Sequence, residues 1–184
     1  YVYDRIGDSI EHVSVNTSGI AADSFASDPS ISDDGCKVSF ESDASNLDPI
    51  APGGFSYVFV RDRCLMTTEV VSVDNTMPTP LISNGNSFGG RIAGDGNSIV
   101  FLSDGDNLDP SDLNSAADAF VRTLGASPTT FRVSLDGSNA EIPDVTERVD
   151  ISTDGNRILF VNRDSGIVVI RGSKAIRGVP SPTT

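Results

Sequence analysis

The sequence predicts an all-β protein: β-propeller blades of four antiparallel strands, incomplete or open in a single chain. Three observations carry this. A unit of about sixty residues recurs, with Ile31-Ser32-Asp33-Asp34-Gly35 returning as Ile92-Ala93-Gly94-Asp95-Gly96 and as Ile151-Ser152-Thr153-Asp154-Gly155, and a repeat of this length fixes the architecture. Tyr57-Val58-Phe59-Val60 and Ile158-Leu159-Phe160-Val161 are apolar without alternation. Strands read this way when both faces are covered, as in a blade stacked between neighbours. No window carries a 3.6-residue apolar period, and Gly and Pro punctuate the chain throughout, so no helix longer than a turn is expected.

Val2-Tyr3-Asp4-Arg5 matches Phe59-Val60-Arg61-Asp62-Arg63 in type. Residues 1–15 therefore read as the third and fourth strands of a unit, the fourth at 12–15. A loop rich in Ser, Ala, Gly and Asp follows at 16–28. The first full unit is 29–73, with strands at 29–32, 36–42, 57–61 and 68–73, and Asp34-Gly35 as a hairpin turn. The second is 90–135, with strands at 90–93, 97–103, 119–122 and 130–135. The third is 148–177, with strands at 148–152, 156–162 and 167–171 and a weak fourth at 174–177. Together these make one propeller segment, 1–177. Residues 178–184 are rich in Pro, Ser and Thr and read as a tail or linker.

This makes about three and a half blades, where closed propellers have typically 4–8. The expectation is a longer natural chain, two copies joined in one ring, or another symmetric contact. Self-association is expected ahead of a lone monomer.

Hydrophobic residues make up 38% of the 184, enough to bury a core. Thirteen basic against twenty-six acidic residues leave a formal charge of −13. That balance speaks against nucleic-acid binding, which needs clustered Lys and Arg, and against docking on an anionic membrane. It serves solubility, or it marks a site for a cation or a basic partner. No apolar run approaches the roughly 20 residues that span a bilayer. The chain opens inside an expected strand, which leaves room for a leader removed upstream.

The repeat resembles the TolB-type, WD-like β-propeller repeat of bacteria. The residues that carry the resemblance are Ser32-Asp33-Asp34-Gly35 with Phe40, Ser45-Asn46-Leu47-Asp48-Pro49, and Val58 to Arg63 followed by Thr67-Thr68 and Val71-Ser72-Val73. The second copy keeps Asn107-Leu108-Asp109-Pro110 and Phe120-Val121-Arg122. The third keeps Asp154-Gly155 and Phe160 but lacks the Asn-Leu-Asp-Pro loop. The resemblance implies a binding scaffold in the periplasm or outside the bacterial cell. It is specific for fold and poor for function, since propellers host many activities.

Several motifs invite a chemical reading. Gly85-Asn86-Ser87-Phe88-Gly89 matches G-x-S-x-G, but that elbow needs a preceding strand, a following helix and a later His. The single His, His12, comes earlier and reads as a surface residue. One His and two Cys do not make the usual closed zinc site. Asn16-Thr17-Ser18 is a sequon by pattern, best explained by chance. Arg61, Arg63, Arg122 and Arg171 recur at strand ends, where an ion pair with Asp62 or with a neighbouring blade's acid is expected.

Cys36 opens the second strand and Cys64 follows the third, so both sit at one edge of a blade and should form a disulfide. The alternative is two buried free thiols. The acidic loops hold Asp43, Asn46 and Asp48 in one unit and Asp104, Asp106, Asn107, Asp109, Asp112 and Asn114 in the next. Weak calcium binding, or attraction of a cationic partner, is expected at Asp104, Asp106, Asp109 and Asp112, since hard cations want several oxygen ligands. The competing reading makes these residues turn formers that bond their own backbone. The long loops, at 16–28, 43–56, 74–89 and 104–118, should share one face.

The functional expectation is a non-catalytic scaffold for a protein or glycan partner outside the cytoplasm. The alternatives are a hydrolase or lyase using paired loop carboxylates, and a purely structural repeat of a larger surface protein.

Overall fold

The computed structural model of the chain describes residues 1–136, 138–143, 146–162 and 168–172. Among these are four antiparallel sheets and no helix. β1 (Val2–Asp4) and β2 (Ser9–Glu11) pair alone. β3 (Ala26–Ile31), β4 (Lys37–Ser42), β5 (Tyr57–Asp62) and β6 (Thr67–Val70) form a meander. β7 (Ser87–Ile92), β8 (Ser98–Ser103), β9 (Asp118–Thr123) and β10 (Thr130–Arg132) repeat it. β11 (Thr146–Ile151), β12 (Arg157–Asn162) and β13 (Val168–Gly172) form the last sheet. The expected fourth strand at 174–177 and the tail at 178–184 lie outside the described residues.

The sheets stack face to face, and the apolar strands are the glue. Val58 and Val60 of one sheet, with Val71 just past its last strand, pack on Ile92, Ile99 and Phe101 of the next. Val100, Ala119 and Val121 pack in turn on Ile158 and Phe160. Tyr57–Val60 is thus buried on both faces, as the sequence predicts, whereas in the equally unalternating Ile158–Val161 only Ile158 and Phe160 are buried and Leu159 and Val161 are half-buried. Phe40 and Phe59 pair across strands with ring centroids 5.8 Å apart, and Phe101 and Phe120 repeat that contact.

The first strand of each unit begins earlier than its apolar pattern suggests. Ser27 pairs Glu41 and Ser30 pairs Ser39, so three steps on β3 face two on β4. Phe88 pairs Leu102 and Arg91 pairs Val100, the same excess of one. Each is a β-bulge, which switches the side-chain alternation in mid-strand and hides the first half from a period-2 reading. Asp28 (φ 47) and Gly89 (φ 65) supply the left-handed residue. At Gly90 a Cβ would stand 2.7 Å from Val58 Cγ1 of the preceding sheet, so glycine lets the sheets close.

The Val-Ser-Val segments correct a second expectation. They are not strands: β2 stops at Glu11, β6 at Val70 and β10 at Arg132. Val15, Val73 and Leu135 instead donate from their N–H to the carbonyl two residues back, each at 2.9 Å. This is a tight γ-turn, and it carries the chain from one sheet to the next. Its hydroxyl is used too, since Ser72 Oγ accepts from Val58 N at 3.2 Å and Ser134 Oγ from Ala119 N at 3.0 Å.

The recurring arginines fasten these crossovers. Arg61 Nη1 donates to Thr68 Oγ1, which donates to Val15 O; Arg122 Nη1 donates to Thr130 Oγ1, which donates to Val73 O. Neither is paired with Asp62, which accepts from Leu65 N in the following turn. Burial lowers the pKa of Arg122, and the acids near it, Glu69 and Asp74 of the preceding unit, work against that. Arg63 does meet a neighbouring sheet's acid, Glu11, at 2.6 Å. The side chain of Arg171 lies outside the described residues.

Candidate functional site

Cys36 and Cys64 are joined, with Cα atoms 5.4 Å apart. They flank β4 and β5 at one sheet edge, as read from the sequence. Closing a loop of 28 residues stabilises by about 3–4 kcal/mol in the chain-entropy model.

The long loops meet on one face, through hydrogen bonds between the link that enters a unit and the loop between its second and third strands. Asp23 accepts from Ser45 N and Ser45 Oγ, and Asn46 Nδ2 donates to Ala21 O. In the next unit Asn84 and Asp106 exchange two hydrogen bonds, and Asn107 Nδ2 donates to Ile82 O. Asx residues here fix backbone: Asp48 accepts from Ile50 N and Val70 N, and Asp109 from Ser111 N. Asn16 does the same, taking Ser18 N and Ile20 N.

Of the four carboxylates expected around a cation, Asp106 binds Asn84 and Asp104 belongs to the same exposed loop. Asp109 and Asp112 turn to Arg132, at 3.4 and 3.3 Å. Arg132 closes β10, and its side chain is 1% exposed. Its Nη1 also lies 3.3 Å from Asp118 and 2.7 Å from Glu141, while Nη2 donates to Ser111 O. Oxygens of Asp112, Asp118 and Glu141 lie within 4.8 Å of one another. Asp118 and Glu141 were missed in the sequence: Asp118 closes the same long loop without standing out in it, and Glu141 lies in the next link, brought near by the repeat register.

Burial, and then the charge of Asp118, push the Asp112 carboxyl up to about 6. Burial also raises Asp118, against a hydrogen bond from Ser134. Glu141 is held low, first by the Leu113 N–H and then by Arg132. Burial works against the charge of Arg132, but Glu141, Asp118, Asp109 and Asp112 outweigh it and leave its pKa raised.

Ser87 does not form a nucleophile elbow. It is fully buried, and its hydroxyl donates to Ser103 Oγ at 2.9 Å. His12 stacks on Tyr1 and shares a hydrogen bond with Ser14.

A second concave feature lies where β3, β7 and β11 run side by side, on the inner edge of three sheets. The bulges there open a cleft of about 600 Å³ lined by Asp28, Glu41, Arg91, Glu147 and Arg148, with Phe88, Leu102 and Val149. Arg91 pairs with Asp28 at 2.9 Å, and Glu41 accepts from Ser27 Oγ and Gly89 N.

No family model matches the chain, and no curated protein matches it. Solved structures do. The β-propeller domain of the Trilobed protease from Pyrococcus furiosus, described as having an open velcro topology, is similar over 83% of this chain and 40% of its own, with 13% identity and a TM-score of 0.50. A putative TolB from Agrobacterium tumefaciens is similar over 80% of this chain and 44% of its own, with 14% identity and a TM-score of 0.48. TolB from Acinetobacter baumannii is similar over 81% of this chain and 41% of its own, with 17% identity and a TM-score of 0.33. The chain thus spans less than half the length of these proteins. At such identities the likeness speaks for fold alone, and the first of these structures, together with the four-stranded antiparallel sheets in an open series, makes the chain a run of β-propeller blades.

Proposed function

We propose that the chain is a non-catalytic β-propeller scaffold that binds an extended segment of a protein partner outside the cytoplasm. The observation that carries this is the inner cleft of about 600 Å³, where Arg91 and Arg148 stand among Asp28, Glu41 and Glu147 over an apolar floor of Phe88 and Leu102. Both signs of charge beside apolar surface suit a peptide with charged side chains. A glycan would favour a flat aromatic platform, and the chain has no Trp. The disulfide supports an oxidising compartment. Further blades, from a longer polypeptide or a second copy, cover the outer face of the first sheet, where Tyr3 and Ile10 pair at 56% and 70% exposure.

The test is crosslinking and affinity capture from the source's extracellular proteins, followed by affinity measurement on the purified partner. Arg91→Glu with Arg148→Glu should weaken that complex by about tenfold or more, since reversing charges at a desolvated contact costs more than 1.4 kcal/mol. Unchanged affinity would remove the cleft as the site. Turnover of peptides or glycosides by the purified chain would overturn the non-catalytic reading.

A further inference from the structure

A small cavity opens on the loop face at the junction of the first and second sheets. It holds about 300 Å³ and is lined by Phe25, Asp43, Phe55 and Asn86, with Ser27 and Gly54. Phe25 is 87% exposed and Phe55 42%. The next copy of the unit shows that the fold needs neither ring. Ser42 pairs Tyr57 as Ser103 pairs Asp118, and Ser27 pairs Glu41 as Phe88 pairs Leu102. In that register Asn86 stands where Phe25 does, and Ala116 where Phe55 does. Two exposed rings that the second copy does without, gathered on one concavity, mark a contact surface.

The backbone around the cavity is fixed, and its polar groups are not all used. Ser42 Oγ donates to Phe25 O, and Ser56 N donates to Asn86 Oδ1 at 3.1 Å. Gly53 (φ 77) and Gly54 (φ 93) turn the loop that delivers Phe55. Among the described residues, Asn86 Nδ2 finds no acceptor, and the exposed Asp43 has no hydrogen-bond or ion-pair partner. Asp43 differs in this from Asp23 and Asp48 nearby, whose oxygens hold the N–H groups of Ser45, Ile50 and Val70. The cavity therefore offers two phenyl groups, one free carboxylate and one free amide donor.

We propose that this cavity takes a basic side chain of the partner segment, arginine ahead of lysine. A guanidinium pairs with a carboxylate and stacks flat on an aromatic ring, and its apolar stem covers further ring surface. Asn86 Nδ2 serves a main-chain carbonyl of the same segment. The excess of twenty-six acidic over thirteen basic residues draws a cation to the surface, whereas a sugar, which could use the same carboxylate and amide, gains nothing from that field. The cavity adjoins the inner cleft, since Ser27 at its rim donates to Glu41 of the cleft at 2.8 Å, so one extended segment reaches both. The inference rests on the reading of the chain as a binder of a protein segment, and the two fail separately.

The test is NMR titration of the purified chain with the peptide acetyl-Gly-Arg-Gly-amide, following the Asn86 side-chain amide. The signal should shift saturably, and the peptide should bind about tenfold more tightly than its counterpart with neutral citrulline in place of arginine. Asp43→Asn should remove that preference, and Phe25→Ala with Phe55→Ala should weaken binding about tenfold. These side chains are exposed, so the variants stay folded. Arg91→Glu with Arg148→Glu, placed in the cleft, should not weaken the tripeptide. Absence of a saturable shift, equal binding of the citrulline peptide, indifference to both the Asp43 and the Phe variants, loss with the cleft variant, or a methyl glycoside that binds at Asn86 more tightly than the arginine peptide would each overturn the assignment. Tripeptide binding kept beside a partner complex indifferent to the cleft substitutions would fail the cleft and support this cavity.

Discussion

The two complete sheets, β3–β6 and β7–β10, share one plan and are stabilised differently. The first is stapled by Cys36–Cys64 and fills the space beneath its loop with Ala51, Tyr57, Val70 and Ile82. The second has Asn97 where the first has Cys36, and places Asp112, Asp118, Arg132 and Glu141 in the matching space. Backbone register, bulge, γ-turn and Arg–Thr fastening are the same in both. The difference separates what the fold needs from what it tolerates. Backbone geometry is kept, and the plug under the long loop is free to change its chemistry.

Removing the one cation of the charged plug should have the largest effect. Arg132→Val leaves four carboxylates facing each other without a cation, and breaking a buried ion cluster this way costs about 3–5 kcal/mol. Urea denaturation should show the loss, and part of it should return at a pH of about 5, where Asp112 takes up a proton. The same substitution is silent by design in the first sheet, where Val70 already stands.

The staple comes next. Cys36→Ser with Cys64→Ser should lower stability by about 3 kcal/mol, read as a lower urea midpoint. Thiol titration of the denatured, unreduced wild type should find no free thiol; two would contradict the bridge.

The pH dependence of the wild type should follow the plug as well. The folded pKa of Asp112 is raised to about 6 from the usual 3.8. Between those values the folded state holds a proton that the unfolded chain releases, so stability rises as the pH falls through 6. The Tm should therefore be higher by about 3 °C or more at pH 5 than at pH 7.5. Below about pH 4 the sign reverses. There Asp34, held low by Ser32, and Asp154, held down to about 2 by Ser152 and Asn156, lose bonds that only their charged forms accept. A Tm that climbs steadily from pH 5 to 7.5 would remove the buried acid from the account.

The smallest expected effect tests what the two sheets share. Thr130→Val removes the hydroxyl that links Arg122 to Val73 O and should cost about 1–2 kcal/mol. Thr68→Val should cost a similar amount in the first sheet, where Arg61 and Val15 O lose the same link.

Much of this comparison was open to the sequence. The repeat, the doubly buried strands and the Cys36–Cys64 bridge are visible because each rests on residue type at fixed spacing. Strand limits were not, because the bulges at Asp28 and Gly89 shift the alternation and the Val-Ser-Val γ-turns imitate strands in composition. The gathering of long loops on one face follows from meander topology and was legible. The site was half legible: Asp109 and Asp112 stand out in an acidic loop, but Asp118, the last residue of that loop, does not, and Glu141 is part of a link. Only aligning the second unit against its apolar counterpart in the first brings the four together. Arg132 drew no notice because it interrupts no motif.

The charged plug of the second sheet is interchangeable with the apolar plug of the first. The measurement that tests this most directly is the urea midpoint of a chain carrying Asp112→Ala, Asp118→Tyr, Arg132→Val and Glu141→Ile. The expected result is stability equal to or above that of the wild type, since apolar replacement of a buried ion cluster is often neutral or stabilising by about 1–4 kcal/mol. A loss of more than about 2 kcal/mol would contradict it.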